Sequence, residues 1–139
     1  MKYWDSSALM SLLVDEAASD DRRSILRQDH AIVTWWGSWV ECASALNRLR
    51  RERHLDSGDL DRALVRLQEL AAGWTEVRPL ERVRRRAVRL LRVHPLRGAD
   101  ALQLAAALTG ADEDPSALDL VSSDSRLADA AREEGFRVL

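Results

Sequence analysis

Short runs of β-branched and aromatic residues alternate along the chain with longer segments whose apolar residues recur every three or four positions, a pattern of strands separated by helices. Lys2 to Trp4, Ala31 to Thr34, Thr75 to Val77, Leu118 to Ser122 and Phe136 to Leu139 read as strands. Helices are predicted from Ser6 to about Val14, capped by Ser6 or Ser7, and from Asp20 or Asp21 to about Gln28. Further helices are predicted over Ser38 to Arg51, Ser57 to about Ala72 with Asp56 or Ser57 as the cap, Leu80 to Val93, Asp100 to Leu108, and Ser125 to Glu134. In the Ser38 helix, Trp39, Cys42, Ala43, Leu46 and Leu49 fall on one face. Gly73 and Gly135 act as stops, and His94-Pro95 ends the arginine-rich helix. The Asp100 helix is almost wholly apolar and is expected to be buried. The resulting order, β-α-α-β-α-α-β-α-α-β-α-β, predicts a single three-layer α/β/α domain over residues 1–139 with a mainly parallel central sheet.

That architecture gives particular meaning to acids at strand exits, because in open α/β sheets ligands bind outside the carboxyl ends of the strands. Asp5 ends the run MKYWD and Asp124 follows LDLVSS. Glu41 in SWVECASAL and Asp100 in LRGADALQLAAAL sit early in helices that are otherwise small or apolar, where a charge needs a partner. Taken singly, each has an ordinary structural role: Asp5 and Asp124 as helix N-caps, Asp100 as a first-turn acid favoured by the helix dipole, Glu41 as a solvated side chain. Together they would repel, and their pKa values would rise unless a cation neutralised them. Oxygen ligands without a Cys or His cluster suit Mg²⁺ or Mn²⁺. Such ions activate water and stabilise phosphate oxygens, so the chemistry implied is phosphodiester hydrolysis.

Composition narrows the setting. The single cysteine, Cys42, permits no internal disulfide and no thiolate metal cage, which points to a reducing cytoplasm. No run reaches eighteen apolar residues, and the N-terminus lacks a leader pattern, so no membrane association is expected. The formal net charge of -2 hides a local excess: eight arginines lie between Arg78 and Arg97 against one acid, Glu81. Arg82, Arg85, Arg89 and Arg92 form a stripe, either a solvated face or a contact for RNA phosphates or an acidic partner.

Four elements in order carry a family resemblance. They are the strand ending in DSSAL at Asp5; Glu41, Ala45, Leu46 and Arg48; Leu96, Arg97, Asp100, Ala101, Leu102, Leu104 and Ala105; and Ser122, Asp124, Leu127, Ala130, Ala131 and Gly135. Over essentially its whole length the chain resembles PIN-domain ribonucleases, and among them VapC-type toxins of bacterial toxin-antitoxin pairs. The resemblance implies a metal-dependent endoribonuclease in which Asp5, Glu41, Asp100 and Asp124 are the catalytic and metal-holding acids. It also implies a VapB-like antitoxin partner. Ser122 is then a water-holding or supporting group, and Ser6 and Arg97 are candidate substrate contacts. At position 103 the family often has His where this chain has Gln103, so no catalytic role falls to it. Arg48, two turns beyond Glu41, is a candidate partner for the acids. Trp35, Trp36 and Trp39 are either core and homodimer-interface residues or platforms for unpaired bases. His30, His54 and His94 do not fall at ligand spacing.

Two other classes compete with this reading. Phosphoaspartyl phosphatases and receiver domains want a late lysine, whereas the only lysine is Lys2, and the phosphatases a second acid where Ser7 stands. A PIN-like module that binds RNA or a partner without cleaving remains as the alternative; all four acids are present.

Overall fold

The computed structural model describes residues 1–139. Its central sheet has four parallel strands: β1 (Lys2–Trp4), β2 (Ile32–Trp35), β3 (Thr75–Val77) and β4 (Asp119–Val121), in the order β3-β2-β1-β4. Between them run α1 (Ser6–Leu13), α2 (Ser19–Gln28), α3 (Ser38–Arg51), α4 (Ser57–Gly73), α5 (Glu81–Val93) and α6 (Gly98–Gly110), and α7 (Ser125–Glu133) follows β4. The strands are short; β2 is buried throughout and β1 and β4 nearly so, as expected of a parallel sheet covered on both faces, while the edge strand β3 is exposed to half-buried. Alternate residues of β1 show the division: Tyr3 packs with Val33 and the Ala/Leu face of α6, while Trp4 packs with α1, Cys42 and Leu46 of α3, and Leu67 of α4. No helix is long and apolar enough to cross a membrane.

Three local expectations need correction. The cap of α1 is Asp5: its backbone is extended, and its Oδ1 accepts the amide hydrogen of Ala8 at 2.8 Å, while Ser6 is already inside the helix. Phe136 to Leu139 does not form a fifth strand but a single bridge between Leu120 and Val138. The reason lies at its first residue, since the Phe136 amide bonds the carbonyl of Ala131 to close α7 and the ring is buried in the core. Gly135 makes that closure possible with φ +99°, a left-handed conformation that costs glycine little. Finally, Trp39 does not share the buried face of Cys42 and Leu46: it is 42% exposed and meets Trp74 edge-on, with ring centroids 6.3 Å apart.

Candidate active site

β1 and β4 end side by side, where the Asp5 amide bonds the Val121 carbonyl at 3.2 Å; α1 follows β1 after Asp5 alone, and α7 follows β4 after Ser122, Ser123 and Asp124. Asp5 and Asp124 are the N-caps of those helices; Asp124 Oδ1 accepts the Leu127 amide at 2.9 Å. The capping role of these acids leaves a functional one open, since each cap bond uses one carboxylate oxygen and fixes where the carboxylate lies. Asp5 is 2% exposed. Ser7 Oγ donates to it at 2.8 Å and Ser122 Oγ donates to its Oδ2 at 2.9 Å. Burial nonetheless raises its pKa to about 6, against these hydrogen bonds, with the charge of Asp124 adding to the rise.

Glu41 comes from the first turn of α3 and is half-buried. Its Oε2 accepts Ser6 Oγ at 2.7 Å, and Gln103 Nε2 donates to Oε1 and Oε2 at 3.2 and 3.3 Å. Desolvation raises its pKa, and the charge of Asp100 pushes it in the same direction. Asp100, in the first turn of α6, accepts the Arg97 amide at 3.3 Å. Ser6, Ser7, Glu41 and Asp100 line one cleft of about 1070 Å³, and Asp5 lies beneath its Ser7 wall.

Several supporting residues escaped the sequence reading. Gln103 is the foremost: 2% exposed, it accepts Tyr3 Oη at 2.7 Å while donating to Glu41 and to Ser38 Oγ. Thr34 Oγ1, which donates to the Trp4 carbonyl at 2.7 Å, lies 2.8 Å from Ser38 Oγ. Arg22, a buried arginine of α2, donates to the Ser122 carbonyl at 2.7 Å and to Ser123 Oγ at 3.2 Å, bracing the β4 exit. Its only sequence signal was a charge within an otherwise polar helix. Of the other candidates, Arg97 is exposed and contributes its backbone amide, and Arg48 lines the cleft without a carboxylate partner within 4 Å. On α5, Arg84 and Arg85 share Glu81 and Arg86 pairs with Glu113, leaving Arg82, Arg89 and Arg92 exposed. His30 and His54 are exposed, whereas His94 is buried between Glu133 and Glu134.

No three Asp, Glu, His or Cys side chains converge at metal-ligand spacing. The donor set still suits a hard divalent ion, because Mg²⁺ keeps several waters and is commonly held by only one or two carboxylates. Asp5 and Glu41, both raised by burial, are the carboxylates a cation would relieve most.

The model of the PIN domain matches residues 2–133. The chain belongs to the PIN-domain family. It is 32% identical over 139 residues to Ribonuclease VapC45 of Mycobacterium tuberculosis (strain CDC 1551 / Oshkosh), with 98% of this chain and 92% of the relative covered. The same identity and coverage relate it to Ribonuclease VapC49 of Mycobacterium tuberculosis (strain ATCC 25618 / H37Rv). A toxin-antitoxin complex from Klebsiella pneumoniae contains a chain with the same fold, with TM-score 0.62, 16% identity, and coverage of 91% of this chain and 88% of that one. The PIN fold thus agrees with the three-layer α/β/α reading of the sequence.

Proposed function

We propose that this PIN-domain protein is a metal-dependent endoribonuclease, the toxin of a VapBC-type pair, that hydrolyses RNA phosphodiester bonds in the Glu41–Asp100 cleft. The observation that carries the reading is the placement of Asp5, Glu41, Asp100 and Asp124 at one edge of the sheet, with two of them held partly desolvated by fixed hydroxyl and amide donors. The 32% identity to two proteins named as ribonucleases supports the same assignment.

In this reading Asp5, Glu41, Asp100 and Asp124 hold Mg²⁺ or Mn²⁺ directly or through water. When bound, such an ion neutralises phosphate charge and lowers the pKa of a water. Ser122 and Ser7 fix the Asp5 carboxylate, and Ser6 and Gln103 fix that of Glu41, so that neither swings to meet its neighbour. Ser6 also faces the cleft and stands as a substrate contact, and Arg97, whose amide bonds Asp100, is the second candidate contact. The buried Cys42 is consistent with a cytoplasmic protein, and a VapB-like antitoxin would cover the acids when the nuclease is silent.

Purified wild type should cleave RNA with Mg²⁺ or Mn²⁺ and stop in excess EDTA, and Asp5→Asn and Asp100→Asn should be inactive while folded. Products should carry a 5′-phosphate and a 3′-hydroxyl, since water and not the 2′-hydroxyl attacks. Undiminished cleavage by either variant, or a 2′,3′-cyclic phosphate end, would refute the mechanism.

A further inference from the structure

The three tryptophans ahead of Glu41 occupy three different environments. Trp35 is the last residue of β2 and is 7% exposed in the core. Trp39 rests on Trp74 and does not reach the cleft. Trp36 alone lines the cleft that holds Glu41 and Asp100, and it is 52% exposed there. Leaving a large aromatic surface in water is unfavourable, and about half of this residue stays uncovered.

The backbone beneath Trp36 is fixed. Its amide bonds the Val77 carbonyl at 3.0 Å, which ties the residue to the end of β3. At the next position a Cβ would lie 2.5 Å from Trp35 Nε1 and 2.9 Å from Trp35 Cδ1, so only glycine fits over the buried ring at Gly37. An exposed ring on an anchored turn is preorganised for stacking, with little chain entropy left to lose on binding.

A second observation identifies the kind of ligand. Arg48 lines the same cleft from α3 and has no carboxylate within 4 Å, although Glu16, Glu41 and Asp100 line it too. Seven residues separate Glu41 from Arg48, a rise of about 10 Å along the helix. The cleft thus places acids, an exposed aromatic plane and an unpaired guanidinium together. That combination fits one strand of nucleic acid, with its reacting phosphate at the acids, a base on the aromatic and a neighbouring phosphate on the cation.

We infer that Trp36 is a stacking platform for an unpaired base of the RNA substrate and that Arg48 contacts a phosphate of the same strand beyond the scissile bond. The inference rests on the nuclease reading and deepens it by requiring unpaired nucleotides at the cut. Both residues act as positioning contacts, so their loss should appear mainly in substrate affinity.

The test uses full-length Asp5→Asn protein as a non-cleaving background, titrated with fluorescently labelled single-stranded RNA. Active protein is assayed on the same oligonucleotides with Mn²⁺. Trp36→Ala should raise Kd and KM about tenfold or more, Trp36→Phe should recover most of the loss, and Trp39→Ala should change neither. An abasic nucleotide at one position of the strand should remove the Trp36→Ala penalty. Arg48→Gln should lower the salt dependence of log Kd by about 0.7, the slope for one single-strand phosphate. Thermal unfolding by circular dichroism checks that each variant folds.

An unchanged Kd for Trp36→Ala would overturn the inference, as would the same penalty on every singly abasic strand. Loss of a protein partner's inhibition with RNA binding intact would reassign the surface to that partner. A wild type that cleaves nothing yet shows the base-dependent penalty would refute the nuclease reading and keep the stacking site. Cleavage by Trp36→Ala at unchanged KM would do the reverse.

Discussion

Gln103 donates from one amide nitrogen to both carboxylate oxygens of Glu41, 62 positions away in the chain, at 3.2 and 3.3 Å. Its carbonyl oxygen accepts from Tyr3 Oη at 2.7 Å, so one buried amide ties the middle of β1 to the first turn of α3. A side chain that donates at one end and accepts at the other cannot be replaced by an apolar one without leaving the Tyr3 hydroxyl unpaired and Glu41 with one donor fewer.

Gln103→Leu should therefore destabilise the fold by about 1–3 kcal/mol, the cost of leaving a buried hydroxyl and a half-buried carboxylate short of partners. It should also lower cleavage, because Glu41 keeps only Ser6 as a donor. Gln103→His, which retains a ring N–H, should recover more activity than Gln103→Leu. Urea unfolding together with single-turnover cleavage separates the two effects. Equal activity in all three proteins at matched stability would mean that the Gln103 bond has no part in placing Glu41.

How far the sequence foretold this site depends on the kind of residue. Asp5 and Asp124 were legible because an acid closing a short apolar run has a position in any parallel sheet, and the periodicity of α3 and α6 located Glu41 and Asp100. Gln103 was not legible: inside an apolar helix it looks like a lone polar residue, and nothing local shows that Tyr3, Ser38 and Glu41 converge on it. Arg22 was hidden for the same reason, its partners being the carbonyl of Ser122 and the hydroxyl of Ser123. The four residues from Phe136 satisfied the strand pattern and still form only one bridge, because pattern cannot register that the Phe136 amide is engaged in closing α7. The tryptophans differ from one another only in three dimensions. Spacing put Trp39 on the buried face and gave no reason to separate Trp36 from Trp35, whereas contact with Trp74 and the position of Gly37 decide both.

The burial of Asp5 has a consequence for stability. Its pKa rises from an ordinary 3.8 to about 6 in the folded state, with desolvation as the main cause. The folded protein therefore holds this proton more tightly than the unfolded chain, and between those values the folded state has bound more protons. By linkage, stability falls as pH rises through that window. The loss approaches about 3 kcal/mol once both states are ionised. Glu41 is shifted in the same direction and adds to the trend. Asp15, Asp29 and Asp59 are shifted downward by their partners and act oppositely, but they are common to wild type and variant and cancel in the comparison. Without divalent ions, Asp5→Asn should be close to wild type in stability near pH 4 and should exceed it progressively toward pH 7. Saturating Mn²⁺ should reduce or reverse that difference, because only wild type offers the carboxylate. Urea unfolding at several pH values, with and without the ion, measures this directly, and a wild type that gains on the variant as pH rises would show that Asp5 is not desolvated as described.

The remaining expectation concerns control and assembly. A free ribonuclease would be harmful to the cell that makes it, so a VapB-like antitoxin should cover the acids, supplying an Arg or Lys charge where the metal would otherwise sit. Leu80 at the N-cap of α5 and Val88 and Leu91 on the helix are exposed, with Arg84 among them and Arg82, Arg85 and Arg89 turned away. A homodimer meeting about a twofold axis through that flank of α5 would bury these apolar side chains beside the Arg84–Glu81 pair and leave Arg82, Arg85 and Arg89 in solvent. The pair Val88→Asp and Leu91→Asp should then yield a monomer that unfolds at nearly the wild-type temperature, since neither side chain belongs to the core. Trp39→Ala should leave the dimer intact, because that ring is occupied by Trp74. Light scattering after size-exclusion chromatography reads the mass of each protein. Co-expression with the neighbouring reading frame, followed by the same chromatography and a cleavage assay, reads capture and inhibition by the partner. A wild type that elutes as a monomer removes the dimer, and a neighbouring product that neither binds nor inhibits removes the toxin-antitoxin assignment while leaving the nuclease site to stand on its own assays.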